Sequence, residues 1–269
     1  MIKRTITGAI VVVLVYAWLF FSHIPLVLHI GTLALGVLAI FEIMRICKAD
    51  KPSICYAAML ISVLLLILPI PHYKYVMILI LPVVLILFCF MMAGKEQIRD
   101  FNTTLATVVS IAVVLLFKAI PSLREWDNGF YYLTFAVTAC FVTDVAALLF
   151  GKAFGSHKLY PKISPKKTVE GAFGGIICTM LVASIAAVLL DKYEILRFDT
   201  TSLIIWSVLV SVVGQFGDLC MSVVKRIAGV KDFGNLLPGH GGILDRFDSH
   251  MFAVAFTLVF CAFGGGFIY

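Results

Sequence analysis

The chain runs to 269 residues, of which 62% are hydrophobic and 13% charged, and its mean hydropathy is +1.07. A soluble domain of this length needs far more polar surface, and a disordered chain far fewer apolar residues, so both classes are excluded and a membrane protein is expected. The formal net charge of +6 reads as loop charge that sets orientation in a bilayer, not as a nucleic-acid footprint.

From the N-terminus, Met1-Ile-Lys-Arg4 precedes an apolar run without a small-residue cleavage site, so it is expected to be an uncleaved first span, not a signal peptide. Runs of the roughly 17–25 apolar residues that cross a bilayer fall near 5–21, 26–46, 54–70, 74–93, 103–120, 129–150, 169–190, 202–228 and 243–268. The expected fold is therefore all-α, a polytopic bundle of about nine transmembrane helices. Short proline turns at Ser22–Pro25 and Pro69–His72 separate the first and third spans from their successors. No internal repeat or soluble domain is visible. The organisation is a single membrane domain, with N-terminal helices over 1–128 and a catalytic region with two inner loops over 129–269. The seven cysteines stand singly in apolar surroundings, as small buried residues do.

The basic residues choose the side. With the N-terminus inside and the C-terminus outside, 16 of the 21 Lys and Arg residues fall on inner loops and helix ends. That bias is what the positive-inside rule requires.

Acidic residues inside spans are costly, about 2.5–3.5 kcal/mol each at a helix centre on insertion scales. Asp144, Glu170, Asp218, Asp245 and Asp248 nonetheless lie within the spans or their first turns. Asp144 and Asp218 each sit seven residues from the inner end of a helix, roughly 10 Å deep at 1.5 Å per residue. Asp245, Asp248 and Glu170 enter from the same side. Ion pairs at one level would be a poor way to hold helices together. A divalent cation suits the oxygens better, since Mg²⁺ keeps coordination positions for water and phosphate. Glu42, three residues before Arg45, is expected to pair with it.

Helical spacing sharpens the pattern. Asp218, Ser222 and Lys225 share one face, as do Asp245 and Asp248. Between them lies a loop, 231–242, with four glycines, which permit close backbone approach. It leads into a helix N-terminus, whose N–H groups favour anions. A second inner loop carries five lysines between Gly151 and Lys167 and would draw a polyanion. Ser164-Pro165 in that loop is expected to start the next helix, with serine as cap. Gly171 and Gly175 suit close helix packing, and His250 reads as structural.

Ser222, Lys225, Arg226, Lys231, Asp232, Gly234, Leu237, Pro238, His240, Gly241, Gly242, Asp245, Arg246 and Asp248 follow one another at fixed spacing over 27 residues. This segment resembles the signature of the phosphatidate cytidylyltransferases, or CDP-diacylglycerol synthases, in their bacterial form. Ser164-Pro165-Lys166-Lys167-Thr168 with Glu170 and Gly171 is similar to the family's second loop. The resemblance implies an enzyme of the bacterial cytoplasmic membrane that takes CTP and phosphatidic acid to CDP-diacylglycerol and pyrophosphate. It also implies Mg²⁺, with the number of cations open, membrane lipids as surroundings and a homodimer. On that reading Asp218 and Asp245 are the first candidates for metal ligands, followed by Asp248 and Asp144. Lys225, Lys231 and His240 join them as catalytic candidates. Ser164, Lys166, Lys167, Thr168, Glu170, Ser222, Arg226, Gly241, Gly242 and Arg246 are candidates for substrate binding. A secondary transporter with an acidic ion pathway is the alternative from another class; the sequence shows neither repeat symmetry nor acids in the outer half of its spans.

Overall fold

The computed structural model describes residues 2–47, 52–68, 70, 72–94, 101–237, 241–264 and 266–269. A helix occupies each expected span. They are α1 (Ile2–Phe20), α2 (Pro25–Ile46), α3 (Pro52–Ile67), α4 (Tyr73–Ala93), α5 (Thr103–Phe117) with α6 (Ala119–Arg124), α7 (Gly129–Phe154), α8 (Val169–Lys192), α9 (Thr200–Ile227) and α10 (Leu244–Gly264). Seven of these segments, α5 and α6 counted as one, are long and apolar enough to cross a membrane. Of the other two, α1 supplies a shorter apolar stretch, Thr7–His23, and α3 has 16 residues.

Large apolar side chains on the outside of the bundle, such as Leu26, Leu79, Phe90, Phe173 and Val188, are mostly exposed. A soluble protein would not leave so many uncovered, and a bilayer covers them. Inside, α10 packs on α4, α5 and α6 as well as on α7 and α9. The first and second halves of the chain therefore share one core.

The tightest helix pair is α7 with α8. Gly171 and Gly175 face α7 backbone carbonyls: a Cβ on Gly171 would meet the Ala147 oxygen at 2.6 Å, and one on Gly175 the Thr143 oxygen at 3.1 Å. Cys140, Cys220 and Cys261 are buried as expected, whereas Cys47 and Cys178 are half-buried and Cys89 is exposed.

Two local features depart from the sequence reading. Ser164–Thr168 is not a helix start but strand β2, paired antiparallel with β1 (Lys158–Tyr160). A residue before proline is driven to extended backbone, so Ser164-Pro165 suits a strand as well as a helix boundary. The cap of α8 is Thr168, whose Oγ1 accepts from the Gly171 N–H at 3.1 Å. At the other end of the bundle, α10 stops at Gly264 where the apolar run suggested 268. Gly266 has φ +90° and turns the tail back, and the Tyr132 hydroxyl accepts from the N–H groups of Phe267 and Ile268, each at 3.1 Å.

Candidate active site

At the opposite end of the bundle from that tail, α7, α9 and α10 bring Asp144, Asp218, Asp245 and Asp248 together around two lysines. Lys225, on α9, lies within electrostatic reach of Asp218, Asp245 and Asp248. It donates to Asp245 Oδ1 at 2.9 Å, and both side chains are nearly out of solvent, at 10% and 2% exposure. Asp218 pairs instead with Lys167 at 2.6 Å and accepts from Ser222 Oγ at 3.4 Å. Asp248 is buried and Asp144 is exposed, and these two with Asp218 feel one another's charge. The site thus grades from a buried floor at Asp245 and Asp248 to an open edge at Asp144.

Four carboxylates against two ammonium groups leave two negative charges over, and Arg246 adds its charge to the edge from an exposed position. Unbalanced charge away from bulk water is costly, and a cation is one group that would offset it. The donors are hard oxygens, the type Mg²⁺ takes. As they stand, among the described residues, no three His, Cys, Asp or Glu side chains converge on one point as a ready metal cage. Lys167 and Lys225 hold the carboxylate oxygens that such a cage would use.

The Gly-rich loop is folded onto α10 by hydrogen bonds from its own backbone. Asp245 Oδ2 accepts from the N–H of Phe233 at 2.8 Å and of Gly242 at 2.9 Å. The loop then closes through the Leu237 N–H on the Gly241 oxygen, 2.9 Å. Gly241 has φ +85°, and a Cβ there would also press on Asp245 Oδ2 at 2.8 Å. A left-handed backbone against a carboxylate explains why this position is glycine.

The N-terminus of α10 is not left open to a ligand anion, contrary to the expectation from helix polarity. Its first N–H groups already have an acid. Glu42, from α2, accepts from Ile243 N–H and Leu244 N–H, both at 2.8 Å. It is 1% exposed, so its carboxylate belongs to the loop and not to a surface pair with Arg45. A helix start attracts a carboxylate through its unpaired N–H groups and its dipole; two such N–H groups, one of them buried, outweigh the i,i+3 neighbour.

The β1–β2 hairpin brings in the second loop. Lys167 turns inward to Asp218 and to the Gln215 carbonyl at 3.4 Å, whereas Lys166 is exposed. Ser164 is half-buried, and Thr168 spends its hydroxyl on the α8 cap. Glu170 faces away from the acidic group: it accepts from the His157 N–H at 3.0 Å and meets the His157 ring at 2.7 Å. Arg226 donates to the carbonyls of Ile163 and Val230, each at 3.1 Å, and so ties the hairpin to the end of α9. Lys231 is exposed. His240 lies outside the described residues. His250 is buried between the rings of Phe141 and Phe247, a packing role.

Two groups of residues at the site were not anticipated. One is Glu42, whose only sequence signal was an acid near a helix end in an apolar chain. The other is a chain of hydroxyls below Asp144: Thr179 and Thr143 are 2.7 Å apart, Thr143 donates to Ser211 at 3.0 Å, and Gln215 donates to Ser211 at 3.4 Å. Single hydroxyls in apolar helices are too common to mark a network in advance.

The match to known families bears on this same geometry. The model of the family described as "Cytidylyltransferase family" matches residues 2–263. The chain belongs to the cytidylyltransferase family. Among its relatives, the phosphatidate cytidylyltransferase of Bacillus subtilis strain 168 is 32% identical over 261 residues, covering 94% of this chain and 95% of that one. The phosphatidate cytidylyltransferase of Staphylococcus epidermidis RP62A is 47% identical over 128 residues, 48% of each chain, and that of Staphylococcus saprophyticus is 41% identical over 63% of each. The Staphylococcus epidermidis match thus spans about half the length of that relative. In this member of the cytidylyltransferase family, the loop, the hairpin and the carboxylate group meet at one end of the bundle.

Proposed function

We propose that this chain transfers CMP from CTP to phosphatidic acid, giving CDP-diacylglycerol and pyrophosphate. The observation that carries the reading is the meeting of Asp144, Asp218, Asp245 and Asp248 with Lys167 and Lys225 beside the Gly-rich loop, in a member of a cytidylyltransferase family whose relatives bear that name. An oxygen of the lipid phosphate attacks the α-phosphorus of CTP. The new P–O bond forms as the bond from that phosphorus to the oxygen bridging to the β-phosphorus breaks, and pyrophosphate leaves with the electron pair. The substrate brings its own nucleophile, so the protein has to position the groups and neutralise charge.

Mg²⁺ is the group whose charge would balance this site, and when bound it would neutralise phosphate oxygens during transfer. Asp218, Asp248 and Asp144 are the residues that would hold it, with Asp245 available once Lys225 releases Oδ1. Lys167 and Lys225 would then be free to pair with phosphate oxygens as their carboxylates turn to the metal. Lys231, Arg246 and Lys166, all exposed, would meet the triphosphate or the lipid head group at the rim. The charge distribution supports a topology with the N-terminus inside and the C-terminus outside, in which this end of the bundle lies in the cytoplasmic half of the membrane. CTP is available there, and the lipid phosphate arrives from the same leaflet. A homodimer in a bacterial cytoplasmic membrane, with no nucleic-acid partner, completes the proposal. No observation on the described residues favours a transporter.

The test is turnover by the purified protein in detergent, with CTP and phosphatidic acid. Labelled CDP-diacylglycerol and pyrophosphate are expected in equal amounts with Mg²⁺ and only traces in excess EDTA. Full turnover in EDTA would overturn the metal proposal, and no product with Mg²⁺ would overturn the reaction.

A further inference from the structure

We infer that Glu42, from the second helix of the chain, is a positioning residue that sets the shape of the Gly-rich loop and thereby the affinity for the nucleotide. The inference rests on the proposal that this loop serves CTP. Three observations carry it. Glu42 Oε1 and Oε2 each accept one backbone N–H, from Ile243 and Leu244, at 2.8 Å. Glu42 is 1% exposed and lies 201 and 202 residues away in sequence from the two amides it holds. Most telling is the crowding around it. At Gly242 the three atoms nearest to an added Cβ all belong to Glu42, inside contact distance, and at Gly234 the nearest is Glu42 Oε1 at 2.7 Å. Two loop glycines, eight positions apart, are therefore shaped around one side chain.

The geometry makes Glu42 a clamp with two jaws. It fixes the start of α10, and with it the backbone that presents Asp245 and Asp248. It also fixes both ends of the loop, since Gly234 lies just after Phe233 and Gly242 just before Ile243. Asp245 binds the same two ends from the inside, through Phe233 N–H and Gly242 N–H. Among the described residues, Glu42 hydrogen-bonds neither a lysine nor another acid of the site, so its influence passes through the loop.

The discriminating variant is Glu42→Gln, which keeps shape but offers one acceptor where two N–H groups wait. Losing a charge-assisted hydrogen bond to a fixed amide corresponds to about a tenfold effect or more. We expect KM for CTP to rise by about that factor, with KM for phosphatidic acid unchanged. A purely structural role would lower only the folded fraction and leave both KM values alone, and that result would overturn the inference. Gly242→Ala supplies the second arm. Its cost in kcat/KM should shrink markedly in a Glu42→Ala background, because the atoms it collides with are gone; additive costs would contradict the clamp. A third measurement does not depend on turnover. Trypsin should cut after the exposed Lys231 about tenfold faster in Glu42→Gln than in the parent protein, as local opening becomes easier. Equal cutting rates would show that Glu42 does not hold the loop, whatever reaction the protein performs.

Discussion

Lys225 and Asp245 form the most buried ion pair of the site, and their value lies in what happens when one is removed. A buried charge that loses its partner costs about 3–5 kcal/mol. Lys225→Met is therefore expected to lower stability by about that amount, measured by thermal unfolding in detergent. Adding Asp245→Asn should recover part of the loss, because the uncompensated charge goes; no recovery would mean that Asp245 is not neutralised by Lys225. Gly241→Ala tests a different term. Forcing an L-residue into the left-handed region costs roughly 1–2 kcal/mol, and the clash with Asp245 adds to it. Unfolding should shift accordingly, and an unchanged midpoint would contradict the loop geometry.

In the hairpin, two adjacent lysines differ in what they reach. Lys167 reaches Asp218 and Lys166 does not. Removing a donor aimed at transition-state charge costs about 100-fold or more in kcat, so Lys167→Met should fall in that range in the turnover assay. Lys166→Met should cost only a few-fold, and the cost should fade as salt screens long-range attraction. Equal losses would contradict the inward placement of Lys167 alone. The helices were legible from apolar runs of bilayer length, and Asp144, Asp218, Asp245 and Asp248 were legible as acids in unlikely places. The hairpin was not, because Ser164-Pro165 satisfies the rule for a helix cap and the rule for extended backbone at once. Glu170, grouped with the other acids by depth, turns to His157 because a neighbouring loop amide and imidazole lie closer than the shared site.

At the scale of the whole molecule, the two halves of the chain are joined at the site. α10 is held by α9 through Lys225 and by α2 through Glu42. Sequence reading placed both partners of the first contact in one 27-residue motif, but as a metal ligand and a phosphate contact and not as the ion pair they form. It missed the second, because nothing in periodicity or composition pairs residue 42 with residues 243 and 244. The orientation argued from the basic residues can be checked in sealed vesicles. A cysteine placed at exposed Lys158, in a background without the native thiols, should be labelled only from the cytoplasmic side, and one at exposed Glu194 only from outside. Labelling of both from one face would contradict an odd number of crossings between them.

The carboxylates of α7, α9 and α10 are the proposed metal site. Mn²⁺ binding in the presence of CTP, followed by electron paramagnetic resonance, tests it without relying on turnover. The account predicts saturable binding to the parent protein and a loss of about 100-fold or more in affinity when Asp218→Asn and Asp248→Asn are combined, since each removes an anionic ligand and its charge. Parent-like affinity in that double variant, with unfolding unchanged, would contradict it.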